Sequence, residues 1–190
     1  MNLLEPPIIA DHPALDLLNT AALIDGKLYD FLQTDAAVLS WLERTGFLKG
    51  RQVPQYEVNA LRDTAHSLRD IAGVVVAQFK AGIMPNMVAL NCFLACGRRH
   101  VQVVRCGKGL GVEERYDVLT PKQLLTPVAQ SVAELLAKSA PSALCKCENP
   151  ECSLLFQDKT KSRRRRWCSM AICGNRHKAA NYRRRRQSKE

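Results

Sequence analysis

The sequence predicts an α+β chain: a mainly helical N-terminal domain with a small antiparallel hairpin, then a small cysteine-organised module ending in a basic helix. Three observations carry this reading. Apolar residues recur at helical spacing between residues 34 and 95. The period falls to two around residues 100–118. Five of the eight cysteines then fall between residues 145 and 173, among runs of arginine. At 190 residues the chain is long enough for one hydrophobic core plus an accessory module.

The opening stretch, Ile8 to Ile24, is dense in apolar residues and contains HPALDLLNTAALI. Its alternation is imperfect and fits a strand followed by a turn or a short helix. Asp16 and Asn19 are short polar residues of the kind that satisfy local backbone groups in caps and turns.

Thr34-Asp35 supplies an N-cap for a helix that places Val38, Trp41, Leu42 and Thr45 at helical spacing before Gly46. A longer helix is expected from Tyr56 to Lys80, where Leu61, Ala65, Leu68, Ala72, Val75 and Phe79 form one stripe and Gly82 follows as a stop. His66 lies one residue off that stripe, at a boundary position. A third helix, Asn86 to Ala95, brings in Val88, Leu90, Phe93 and Leu94, with Cys92 and Cys96 expected in the core.

Residues 100–106 (HVQVVRC) and 112–118 (VEERYDV) flank the glycine-rich CGKGLG, which reads as a hairpin turn. No helix opens after these glycines and no Walker lysine is present, so a phosphate loop is the poorer reading. Thr120-Pro121 and Thr126-Pro127 offer two helix starts. A short turn of helix and then a main helix from Pro127 to about Lys138 are expected. Ser139-Ala140-Pro141-Ser142 reads as a linker, dividing the chain into residues 1–140 and 141–190.

Charge divides the chain at nearly the same place. Residues 1–142 carry equal numbers of basic and acidic side chains, so the whole net charge of +10 sits in residues 143–190. The N-terminus has neither a basic n-region nor an uninterrupted apolar stretch, and no run approaches the length of a membrane span. A cytoplasmic location without membrane association is expected. Clustered cysteines there read as metal ligands before disulfides.

Cys147-x4-Cys152, fifteen residues, and Cys168-x4-Cys173 form two short hooks. Four thiolates from two hooks suit one tetrahedral Zn²⁺ with no open position, a structural role. Metal binding would supply folding energy to a module whose only large core formers are Leu154, Leu155, Phe156 and Trp167. Cys145 could replace Cys147, and Cys173-x3-His177 resembles half of a Cys/His finger; the symmetric set is preferred.

Arg163, Arg164, Arg165 and Arg166 lie between the hooks. Arg176, Lys178, Arg183, Arg184, Arg185 and Arg186 follow the second hook in a stretch of good helix formers. Such density suits a phosphate backbone, and arginine's planar fork suits phosphate or guanine edges. RNA or unspecific nucleic-acid binding is the alternative, although only Trp167 and Tyr182 could stack on bases. A zinc module for protein contact is a further one. Enzymatic activity is not expected: Asp16, His12, His66 and His100 are not paired by any spacing, and no catalytic residue is assigned.

Cys168 to Arg176 (CSMAICGNR), preceded by Arg165-Arg166-Trp167 and followed by Lys178, resembles the CGNR zinc-finger family. The upstream cysteine pair followed by Leu155-Phe156-Gln157-Asp158 matches it too. Leu15-Asp16-Leu17-Leu18-Asn19-Thr20 resembles the opening of the ABATE domain that accompanies this finger, with leucine where phenylalanine is frequent. The resemblance implies a bacterial stress-responsive transcription regulator that binds DNA through the finger and senses an unknown small-molecule ligand through the first domain. It also implies that Cys147, Cys152, Cys168 and Cys173 are the zinc ligands. Arg165, Arg166, Asn175, Arg176 and Lys178 become candidates for shaping or contacting the DNA surface. Asp16, Asn19 and Thr20 become signature positions, either ligand-contacting or structural. A finger this small reads few base pairs, so a homodimer is expected to add specificity.

Overall fold

The computed structural model describes residues 5–48 and 52–187, apart from the side chains of Arg184 and Gln187. The chain runs α1 (Pro13–Leu18), β1 (Ala21–Ile24), β2 (Lys27–Asp30), α2 (Asp35–Arg44), α3 (Ala60–Lys80), α4 (Val88–Leu94), β3 (Arg99–Cys106), β4 (Gly109–Tyr116) and α5 (Pro121–Lys138). A 3₁₀ turn (Pro141–Ala143), β5 (Leu144–Lys146), β6 (Leu155–Gln157), a π-helical turn (Met170–Gly174) and α6 (Asn175–Gln187) follow. The strands form three antiparallel pairs, β1–β2, β3–β4 and β5–β6. No helix among the described residues is long and apolar enough to cross a membrane.

Local chemistry explains where elements begin, and it corrects several expectations. The opening stretch is a helix and then a strand, the reverse of the expected order. The His12 ring accepts the Ala14 N–H and Pro13 takes the first helical position, which starts α1 at once. Thr34 caps α2 as expected, accepting the Ala37 N–H at 3.1 Å. The long helix α3 starts at Ala60 rather than Tyr56. Its cap comes from another helix, because Asp35 accepts the Asn59 and Arg62 N–H groups at 2.9 and 2.8 Å.

On α4, Leu90 and Phe93 are buried, but Val88 and Cys92 are exposed, so Cys92 is not a core cysteine. The last helix is one continuous α5 with Pro127 inside it. Its capping box, Thr120 with Gln123, forms at the first of the two starts. Pro127 forfeits one backbone bond, and burial of Leu124, Leu125, Val128, Val132 and Leu135 outweighs a proline cost of about 3 kcal/mol.

α1, α2, α3, α4 and α5 share one core, in which Leu15, Trp41, Leu42, Leu61, Leu68 and Leu125 are almost completely buried. The β3–β4 hairpin stands out from this body. Val101, Val103, Leu110 and Val112 lie on one of its faces and are all at least 65% exposed. A second, smaller core joins Ala22 and Ile24 of β1 to Cys147, Cys152, Leu154, Phe156, Cys168 and Cys173. The β1–β2 hairpin is therefore a wall of the cysteine module. Its turn, Asp25-Gly26, has φ of 55° and 72°, the two positive values of a type I′ turn.

Candidate metal centre and nucleic-acid interface

Three short pairings bring the hooks together. Cys147 N–H donates to the Leu154 carbonyl, closing the first hook. Residues 151–153 lie beside β1: Ser153 N–H donates to the Leu23 carbonyl, its Oγ accepts the Leu23 N–H, and Gly26 N–H donates to the Glu151 carbonyl. Ser169 opens the second hook; its Oγ accepts the Ala171 and Ile172 N–H groups, and its carbonyl accepts from both Cys173 and Gly174 in a π turn. A Cβ on Gly174 would meet Met170 Sδ at 2.6 Å and Trp167 Cδ1 at 3.2 Å, so a larger residue there would push the flexible end of Met170 aside.

The result is four buried cysteines, Cys147, Cys152, Cys168 and Cys173, with all Sγ atoms within 4.8 Å of one another. The Cys152–Cys168 and Cys168–Cys173 separations are 3.9 and 3.6 Å. A tetrahedron with Zn–S bonds of about 2.3 Å has edges of about 3.8 Å, so the donor set fits one zinc ion. Disulfides, with S–S of about 2.05 Å, are not formed.

Electrostatics points the same way. Hydrogen bonds from Cys152 and Cys168 hold the Cys147 thiol well below the ordinary range. The anionic Cys147 in turn pushes Cys152 and Cys168 up. Such a cluster resists a second negative charge until a cation neutralises it, and metal uptake expels the remaining protons. Asn149 Nδ2 reaches Cys173 Sγ at 3.5 Å, an outer support for one ligand. Cys145 is outside the cluster, near the Ser142 carbonyl, and His177 stacks on Trp167 with ring centroids 4.7 Å apart. The symmetric four-cysteine set is the one the fold assembles.

The signature positions Asp16, Asn19 and Thr20 are all buried and all engaged by protein. Asp16 Oδ1 accepts the Ile9 and Ala10 N–H groups, each at 3.0 Å; burial raises its carboxyl, and these two bonds oppose the rise. Asn19 bonds both backbone groups of Leu155 on β6. Thr20 donates to the Leu17 carbonyl and accepts from Arg69, which also forks onto Asp30 at 2.9 and 2.7 Å. Asn19 thus fastens the opening of the chain to the cysteine module, Asp16 holds the turn before α1, and Thr20 ties the end of α1 to α3.

The basic residues do not form one uniform surface. Arg165 is drawn inward: its guanidinium lies 4.3 Å from the Phe156 ring centroid and donates to the Ile9, Trp167 and Cys168 carbonyls and to Asp11. Arg176 meets Asp25 in the β1–β2 turn. Arg163 donates to the Asp158 carbonyl, and Arg166 pairs with Glu148 while lying over Trp167. Arg164, Asn175, Lys178, Arg183, Arg185 and Arg186 are exposed. The Arg184 side chain lies outside the described residues.

Asp158 entered the sequence reading only as part of the Leu155–Asp158 match, with no role given to it. It is buried, and its carboxylate accepts from the Thr160 hydroxyl and from the Thr160 and Arg165 N–H groups, bonds that lower its pKa and shape the arginine loop. The Asp25-Gly26 turn that would have revealed the β1–β2 hairpin was present in the sequence. The candidates for chemistry elsewhere are also engaged: His66 bonds the Leu32 carbonyl and His100 pairs with Asp117.

Comparison with known families gives two matches. The model of the ABATE family, described as "putative stress-induced transcription regulator", matches residues 11–139. The model of the CGNR zinc finger matches residues 144–186. No curated protein matches the chain.

Proposed function

The chain belongs to the ABATE family and ends in a CGNR zinc finger, and from that premise we propose that it regulates transcription by binding duplex DNA through α6. The observation that carries this is the exposed basic face of α6, held on the buried four-cysteine site at its N-terminal end. Zinc, when bound, supplies a fixed centre without an open coordination position. The chain's own residues do the rest: Trp167 stacks on His177 of the helix and braces its first turn, while Arg183, Arg185 and Arg186 present charge to phosphates.

Control by a small molecule is part of the proposal. A cleft of about 670 Å³ lies between β4 and α5, lined by Phe47, Arg99, Arg115, Tyr116, Gln130 and Glu134 among others. A ligand there would bear on the β3–β4 hairpin, whose exposed apolar face suits contact with a second copy of the chain. Two copies would read two half-sites.

One observation favours RNA or single strands as a second reading: Tyr182 is 64% exposed on α6 and could stack on a base. Titrating the zinc-loaded chain against duplex DNA, hairpin RNA and single strands at several salt concentrations separates the two. Tightest binding to duplex supports the regulator; equal affinity for all three contradicts it.

A further inference from the structure

We infer, resting on the duplex-DNA reading above, that Asn175 is a base-reading residue: its side-chain amide faces an adenine edge in the major groove, with Lys178 beside it on a neighbouring guanine. The π turn and α6 follow one another without a break from Met170 to Gln187. At about 1.5 Å per residue this makes a rod of roughly 27 Å, ample for a groove. The start of the rod is anchored in the protein: Cys173 and Gly174 are buried, and His177 stacks on Trp167.

A row beside these residues carries Ala171, Asn175, Lys178, Tyr182 and Arg185. They are spaced by four, three, four and three, so they line up along the axis, and all five are exposed. No acidic residue interrupts this stripe, and Arg176, the other polar residue beside Asn175, is taken by Asp25.

Asn175 differs from its neighbours in a way that decides its role. It is uncharged, so it adds nothing to counterion release. Its side chain has no hydrogen-bond partner among the described residues. An amide offers one donor and one acceptor side by side, the pattern that meets adenine N7 and N6. Ala171, one turn before it, is small enough to let the helix approach the groove floor. Tyr182 and Arg185, further along, sit where the helix leaves the groove and can reach phosphates. The stripe thus divides into a base-reading half and a backbone-gripping half.

The test uses the full zinc-loaded chain. Duplex sites are selected from random sequence, and preference is measured position by position for wild type, Asn175→Ala, Asn175→Gln and Lys178→Ala. Zinc content and thermal unfolding confirm that each exposed substitution leaves the fold intact. Asn175→Ala is expected to lose preference for adenine at one position, by about 5- to 100-fold, with an unchanged salt slope. Asn175→Gln is expected to weaken or displace that preference, and Lys178→Ala to relax a neighbouring guanine. Unchanged preferences in Asn175→Ala would overturn the inference while leaving duplex binding intact. Absence of duplex binding by the wild type would remove the DNA reading, and this inference with it.

Discussion

The Asn19 side chain pairs with both backbone groups of Leu155, donating to its carbonyl at 2.9 Å and accepting its N–H at 2.8 Å, across 136 residues of sequence. An amide here imitates a neighbouring strand for β6, which is why Asn19 is buried. Asn19→Ala strands both groups, each costing about 1–3 kcal/mol when buried without a partner. The expected loss is at least about 2 kcal/mol in urea unfolding of the zinc-loaded chain. A loss below about 0.5 kcal/mol would mean that water replaces the amide without penalty.

The shared core makes a second prediction. Ile24 of β1 packs with the four cysteines, and Ser153 and Glu151 bond the β1–β2 hairpin. Stripping the metal with a chelator should therefore increase hydrogen exchange at Leu23 and Gly26, although both precede the first ligand by more than a hundred residues. Amides in the middle of α3 and α5, which belong to the other core, should stay protected. Uniform loss of protection across the chain would contradict a separate second core.

Two carboxylates, the half-buried Asp30 and the buried Asp16, predict opposite responses to acid. Burial alone would raise the Asp30 carboxyl, but hydrogen bonds from Arg69 and Leu32, with the charges of Arg69 and His66, hold it below the usual range. A depressed folded value gives stability that is present above the unfolded value of about 3.9 and is lost as pH falls through the folded one. Asp16 is raised by burial, so its ionisation opposes folding, and stability from it is gained as pH falls through the folded value. Comparing each variant with wild type in unfolding between pH 7 and 3, Asp30→Asn should remove an acid-labile contribution, whereas Asp16→Asn should remove an acid-induced gain. Differences of the same sign for both variants would contradict this assignment.

Much of this was legible in the sequence because spacing encodes it. Four cysteines in two x4 hooks named the metal site, and the apolar stripe of α3 named the centre of the helical core. Other features depend on contacts that spacing cannot encode. Arg165 and Arg176 sit within the most basic stretch of the chain, yet Asp11, Asp25 and the Ile9 carbonyl, far away in sequence, draw them into the fold. Pro127 reads locally as a new helix start, but the upstream Thr120–Gln123 capping box decides where α5 begins. Cys92 reads as apolar, and only the orientation of α4 leaves it outside the core.

The same contacts separate two kinds of arginine. Arg165→Ala removes a cation that braces three carbonyls and a carboxylate, and should cost about 2 kcal/mol of stability. Arg185→Ala, on the exposed face, should leave stability unchanged and reduce the slope of log K against log salt by about 0.9 in duplex binding. Equal effects of the two substitutions on stability would show that Arg165 is not a brace.

The central claim is that a zinc-held α6 binds duplex DNA, and salt-dependent titration of one labelled duplex with zinc-loaded and zinc-stripped full-length chain tests it most directly. The account predicts steeply salt-dependent binding by the zinc-loaded chain, a large loss of affinity on chelation, and recovery when zinc is returned. Failure of the zinc-loaded chain to bind duplex near physiological salt, or affinity indifferent to zinc, would contradict it.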